Sequence, residues 1–217
     1  MKFTKKILPT LIMKNKIGLV LSHFFVRKDE EYKYDWIEKS IINYQKLSKD
    51  FHIVLCGHGE APNDRIKSLV DKIIWLDEID EKQLGTGHPH FCIKGFEYCL
   101  EKGIKLTLKN RAYDYLTKDK IFNYNLVISE QTDLNQHMIG DLLMFGETEY
   151  LLNWWKKLPW DYSKDGLRNL YKNLENLEEF KNKVSFFSPE ELGWKTLEYN
   201  TDVFWGLHKG FNWYGGF

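Results

Sequence analysis

Arg111 and Asp114 stand three residues apart, where an alternating run, Ile104-Lys105-Leu106-Thr107-Leu108-Lys109, gives way to a polar turn. A strand with that ending delivers a cation and a carboxylate to the carboxyl edge of a sheet, where open α/β sheets bind their ligands. The same two residues also read as a local ion pair that closes the turn. A further carboxylate, Asp141, interrupts the apolar run Met138 to Phe145. Beside Ile139, Leu142 and Leu143 it is partly desolvated on this reading, hence more basic than an ordinary aspartate and suited to general-base work. A cap or a buried hydrogen-bond partner explains it as well. Glu190 and Glu191 follow Ser188-Pro189, a helix start, and serve there either as acids for chemistry or as partners of the helix dipole. Cys56-x-His58 and His88-x-His90-x-Cys92 offer the thiolate and imidazole ligands that zinc takes, in a spacing that matches no established zinc signature.

The elements that must position these groups are readable from periodicity. Cys92, Phe96, Cys99 and Leu100 recur at helical spacing and predict a helix from about His88 to Lys102, stopped by Gly103. Ile104, Leu106 and Leu108 then predict a strand with one strongly apolar face. Upstream, the continuous apolar run Ile17 to Leu21 predicts a strand buried on both faces. Asp35 caps a helix carrying Trp36, Ile37, Ile41 and Tyr44, and a strand from Ile53 to Cys56 completes a βαβ unit. After the turn Gly57-His58-Gly59-Glu60, Asn63 or Asp64 caps a short helix holding Ile66, Leu69 and Val70, and a third strand, Ile73 to Leu76, ends at Asp77. Four strands alternating with three helices predict an α/β fold whose mostly parallel sheet is flanked by helices. Beyond Tyr115 the expected elements are a strand at Asn125 to Ser129 and a helix opened by Gly146 and Glu147 that carries Trp154 and Trp155. A charged helix from Gly166 to Asn182, a strand at Val184 to Phe187 and the helix after Ser188 complete the series.

The 217 residues suit one domain, 1–217, with an N-terminal extension at 1–15 and an aromatic, glycine-containing tail at 200–217. Lysine plus arginine equals aspartate plus glutamate, 31 each, so no global field draws the chain to nucleic acid or to an anionic membrane. Any charged ligand must be held by local groups. Three cysteines make no even disulfide framework and point to a reducing compartment. The apolar stretch Ile7 to Met13 is far too short to span a bilayer and contains Pro9, so the expectation is a cytoplasmic protein, at most peripheral to a membrane.

Taken in this order, the chain resembles the glycosyltransferases of the GT-A fold, single Rossmann-like α/β domains that bind a nucleotide-sugar at the carboxyl edge of the sheet. Within that group, Lys109-Asn110-Arg111-Ala112-Tyr113-Asp114-Tyr115 and Ile139-Gly140-Asp141-Leu142-Leu143-Met144-Phe145-Gly146 look like segments of the WavE-type lipopolysaccharide-synthesis family. The resemblance covers roughly Ile17 to Trp155. It implies a nucleotide-sugar donor, a glycan or glycolipid acceptor and a role in polysaccharide biosynthesis. It implies further that Ser22, His23 and Phe24, the turn from Gly57 to Glu60, and Asp77 line the base and ribose pocket, with Gly85 and Thr86 nearby. Arg111 and Asp114 would face the diphosphate, and Asp114 would be the metal ligand for Mn2+ or Mg2+. The metal element of the wider fold has two acids separated by one residue, whereas this chain has Asp114 alone, which leaves metal dependence open. Inverting transfer also needs a base for the acceptor hydroxyl: Asp141 first, then Glu190 or Glu191.

Other classes fit less well. A sugar-1-phosphate nucleotidyltransferase places a glycine-rich phosphate loop after its first strand, and Ser22-His23-Phe24-Phe25 is no such loop. No G-x-G-x-x-G follows any predicted strand, which disfavours a dinucleotide-dependent oxidoreductase. The non-enzymatic alternative is a nucleotide- or glycan-binding protein on a degenerate transferase fold.

Overall fold

In the computed structural model, which describes residues 16–23, 33–58, 61–76, 87–128, 143–158 and 170–197, the apolar run after Lys16 is strand β1, Ile17–Ser22, buried at every position. It is the centre of a parallel set: β2 (Phe51–His58) and β4 (Leu106–Arg111) pair with it on either side, and β3 (Lys72–Leu76) adds to β2. Helix α1 (Lys33–Leu47) covers one face and α3 (Gly87–Glu101) the other, while a single-turn helix α2 (Asp64–Lys67), between β2 and β3, adds Ile66 to the α1 side. Because side chains alternate along a strand, Leu19 and Leu21 join Ile37, Ile41 and Tyr44 of α1 in one cluster, and Val20 joins Phe91, Cys92, Phe96 and Cys99 of α3 in the other.

The second half adds β5 (Asp114–Leu116), β6 (Leu126–Ile128), β7 (Met144–Glu147), helices α4 (Thr148–Trp155) and α5 (Leu177–Lys183), β8 (Val184–Phe186), α6 (Pro189–Leu192) and β9 (Trp194–Thr196). The seven-stranded sheet has the order β3-β2-β1-β4-β7-β6-β8, with β7 antiparallel to both of its neighbours, while β5 and β9 form a separate two-stranded sheet. This is the mainly parallel, helix-flanked α/β architecture that the sequence predicts. Among the described residues no helix is long and apolar enough to cross a membrane.

Local signals hold where they are local. Asn63 caps α2 by accepting from the Ile66 amide at 3.0 Å, and Gly103, at φ +71°, ends α3 with its amide bonded to the Leu100 carbonyl. Two expectations are corrected. The charged segment Gly166 to Asn182 is not one helix: Asn176 starts α5 afresh by accepting from the Glu179 amide at 3.0 Å, and an Asn at such a place competes for the backbone. Gly146 and Glu147 belong to β7 rather than to the helix that follows, because pairing with Thr107 and Leu106 of β4 holds them extended. Strand β4 has no solvent face: Thr107 and Lys109 are as buried as Leu108. Between β1 and β7, in the middle of a sheet covered on both sides, every position of a strand is enclosed, and β4's polar residues must find partners inside. The Thr107 hydroxyl meets that of Thr148 at 2.8 Å, and the Lys109 ammonium lies 5.2 Å from the Trp155 ring centroid.

Helix α3 lies close on β1 through two glycines. A Cβ at Gly95 would fall 2.5 Å from Val20 Cγ1, and one at Gly18 would fall 2.6 Å from Cys99 Sγ. Gly95→Ala gains up to about 1 kcal/mol of helix propensity but forces a stiff β-branched neighbour to move, an overpacking cost of about 1–3 kcal/mol. The expected result is net destabilisation by about 1 kcal/mol in a urea melt, and an unchanged or higher midpoint would show that the α3–β1 contact is loose.

Candidate functional site

The carboxyl ends of β1, β2, β3 and β4 converge on one group of side chains. Ser22 closes β1 with its hydroxyl donating to the Asn110 carbonyl at 3.3 Å, while its own carbonyl accepts from the Ala112 amide at 2.9 Å. The next residue, His23, donates its amide to the Cys56 carbonyl at 2.7 Å. Its ring stacks on Trp75 of β3, with centroids 5.7 Å apart and planes 15° apart, and Tyr113 meets it edge-on at 6.0 Å. Gly57 lies under this stack, opposite Trp75 in the parallel register, and a Cβ there would come within 2.6 Å of the Trp75 ring and 3.0 Å of His23 Cβ. Only glycine lets the two rings lie together at this point.

Next to the rings is the charged part. The Arg111 guanidinium lies 5.6 Å from the Tyr113 centroid and grips Asp114 in a fork, Nε to Oδ2 at 2.7 Å and Nη2 to Oδ1 at 3.2 Å. Asp114 is wholly buried, and its carbonyl accepts from the Ser40 hydroxyl of α1 at 2.6 Å. The Leu197 amide, just past β9, donates to the Tyr113 carbonyl at 3.0 Å. On the opposite face of β4, Asn110 donates to the Tyr44 hydroxyl at 2.7 Å and accepts from the Arg111 amide at 2.9 Å. Burial drives the Tyr44 phenol far above its ordinary range, so this network is neutral and fixed. The turn from Arg111 to Asp114 is thus pinned by α1 on one side and by the segment after β9 on the other. What it brings together is one partly exposed indole, Trp75, backed by the buried His23 and Tyr113 rings, and a preorganised guanidinium of the kind that suits phosphate.

Of the residues singled out in the sequence, Ser22, His23, Gly57, Arg111 and Asp114 are brought together here. Phe24, Glu60, Asp77, Gly85, Thr86 and Asp141 lie outside the described residues. Glu190 and Glu191 are exposed and work locally. Glu191 closes a capping box with Ser188, at 3.0 and 3.2 Å, and pairs with Lys120 at 3.3 Å, while the Glu190 carbonyl accepts from Lys118 at 2.6 Å. Trp75 and Tyr113 escaped the sequence reading. A tryptophan within the strand that ends at Asp77 is the available signal for the first, but its pairing with Gly57 depends on strand register.

The donor set does not fit a divalent cation among the described residues. Both Asp114 oxygens are engaged by Arg111, and no group of three His, Cys, Asp or Glu side chains comes together there. The thiols of the zinc hypothesis lie in the apolar core: Cys56, Cys92 and Cys99 are buried and form no disulfide, and burial raises the Cys56 and Cys99 thiols, the latter to about 12. The His58 and His88 side chains lie outside the described residues.

No protein-family model and no curated protein matches the sequence. Solved structures resemble it in shape. The 4-diphosphocytidyl-2C-methyl-D-erythritol synthase of Anaerococcus prevotii DSM 20548 superposes with a TM-score of 0.51 at 12% identity, covering 90% of this chain and 98% of that one. A glycosyltransferase involved in glycosylation of the major capsid of PBCV-1 gives 0.45 at 12% identity, over 80% and 82% of the two chains. A protein assigned as a nucleotide-diphospho-sugar transferase from Desulfovibrio desulfuricans G20 gives 0.44 at 8% identity, over 79% and 78%. At such identities the likeness is one of fold, and the fold is GT-A-like: a mainly parallel seven-stranded sheet flanked by helices.

Proposed function

We propose that this protein is a glycosyltransferase that moves a sugar from a nucleotide-sugar donor to a hydroxyl of a glycan or glycolipid. The observation that carries the reading is the joint placement, at the carboxyl edge of a GT-A-like sheet, of the His23–Trp75–Tyr113 rings and the Arg111 guanidinium. Trp75, the partly exposed ring of the group, takes the base, and the guanidinium takes the diphosphate. In the transfer, the acceptor oxygen bonds to the anomeric carbon as the bond from that carbon to the diphosphate oxygen breaks, leaving its electron pair on the diphosphate. The hydroxyl proton passes to a carboxylate, Asp141 in this reading. Arg111, held rigid by Asp114, stabilises the charge that develops on the leaving group.

The test is a thermal-shift screen of the full chain against UDP, GDP, CMP and dTDP, each with Mn2+, Mg2+ or EDTA. A ligand at a hundredfold excess over its dissociation constant adds about 2.7 kcal/mol to apparent stability. One nucleotide is expected to raise the midpoint, and Arg111→Met to abolish that rise. No rise with any nucleotide would sink the reading. Engagement of both Asp114 oxygens by Arg111 favours a second reading, a protein that binds nucleotide or glycan on this fold without turnover. Nucleotide binding with no transfer or hydrolysis, and no effect of Asp141→Asn, would select it.

A further inference from the structure

At the amino edge of the sheet, away from the candidate site, the turn from α1 into β2 and the turn from α2 into β3 face each other across a cavity of about 420 Å³, within the size range of small-molecule sites. Phe51 and Ile53 of β2, almost wholly buried, make its floor, and the half-buried Leu69 and Val70 give it a small apolar side. The polar groups around it are fixed by the chain. Gln45, near the end of α1, spans to the opposite turn by donating its amide N–H to the Leu69 carbonyl at 3.1 Å. Asp71 is clamped to β2: its amide donates to the Ile53 carbonyl at 2.9 Å, and its Oδ2 accepts from the Ile53 amide at 2.8 Å. Ser48 Oγ accepts from the Asp50 amide at 3.1 Å, and Ser68 donates its hydroxyl to the Arg65 carbonyl at 2.7 Å.

These bonds leave hydrogen-bonding capacity over. Gln45 Oε1, the Ser68 oxygen and the Asp71 carboxylate still accept, while the Ser48 hydroxyl and the Lys49 ammonium still donate, so donors and acceptors are interspersed around an apolar floor. Lys49 and Asp71 are the charged residues of the lining, one of each sign, and a phosphate gains no net attraction there. A purely apolar ligand would strip water from the polar groups without replacing its hydrogen bonds. A peptide strand has nowhere to add, since β2 is paired on both sides. A sugar ring meets the whole set: each hydroxyl both donates and accepts, and the C–H face rests on Leu69 and Val70. We propose that this cavity is a binding site for a neutral sugar unit. Strand β2 is eight residues long, so the cavity lies roughly 20 Å from the carboxyl edge, out of reach of the chemistry there. It is a holding site for glycan rather than a second catalytic centre, and it does not depend on the nucleotide reading.

The experiment is an amide-correlation NMR titration of the full chain with the methyl glycosides of glucose, galactose, mannose, rhamnose and N-acetylglucosamine. At least one is expected to shift the amides of 48–51 and 68–71 to saturation, with an affinity that added salt leaves unchanged because no net charge holds the ligand. Lys49 is an exposed turn residue, so its variants keep the fold. Lys49→Met is expected to weaken binding about fivefold, the effect of one lost hydrogen bond, and Lys49→Gln, which keeps a donor without the charge, to retain most of it. Gln45→Leu, which removes an acceptor, should weaken binding by a similar factor. Shifts confined to the surroundings of His23, Gly57 and Arg111, or shifts that saturate with none of these sugars, overturn the inference. So does an affinity unchanged in both Lys49→Met and Gln45→Leu. UDP, GDP, CMP and dTDP added to the same protein report separately on the nucleotide reading, through amides at the carboxyl edge, so either reading can fail with the other intact. A nucleotide whose shifts centre on 48–51 and 68–71 overturns the sugar assignment.

Discussion

Asp114→Ala is expected to lower the unfolding free energy by about 3 kcal/mol, because it removes both carboxylate acceptors of a buried two-point fork. The Asp114 carboxylate has no exposed surface and Arg111 only 14%, so solvent can do little to replace the lost bonds. The figure lies at the low end of the range for broken buried pairs because Arg111 retains that sliver of access. Replacing both partners by apolar residues removes the charge as well as the bond, so Arg111→Met with Asp114→Leu should recover at least half of the loss. Urea melts of the wild type, the two single variants and the double variant measure this coupling directly. Additive effects within about 0.5 kcal/mol would mean that the fork is only a geometric coincidence. The double variant is also the informative one for function: folded but without the fork, it should fail to bind nucleotide.

Trp155→Ala should cost about 3–5 kcal/mol, the range for emptying a buried aromatic site. The side chain is fully enclosed, meets Phe96 edge-on at 6.0 Å and donates to Met144 Sδ at 3.2 Å. It also bears the Lys109 ammonium, so the alanine variant removes a cation–π contact worth about 0.5–2 kcal/mol in addition to the volume. That part is separable. In a Lys109→Met background the same substitution should cost about 1 kcal/mol less, and Trp155→Phe, which keeps a ring, should cost less than half as much as alanine in either background. Circular-dichroism urea melts of the four combinations check it. Equal costs of Trp155→Ala in the two backgrounds would show that the indole carries no share of the buried charge.

The sequence by itself determined what short-range chemistry controls. Helix α3 and its left-handed stop at Gly103, the Asn63 cap, the Ser188–Glu191 capping box and the apolar run of β1 each follow from residues within a few positions of one another. Alternating strands and helices then fixed a parallel sheet, and with it the edge where Arg111 and Asp114 emerge. Tertiary structure alone decided how those groups are used. Trp75 meets His23 over Gly57 because β1, β2 and β3 align in one parallel register, and that alignment brings together residues more than fifty positions apart. The clearest case is Lys109, whose alternation with Leu108 places it on the face opposite the strongly apolar one and says nothing of its burial. Strand β7, entering antiparallel from a distant part of the chain, and helix α4 behind it close that face. Alternation reports which residues share a face, and only the completed sheet determines whether water reaches it.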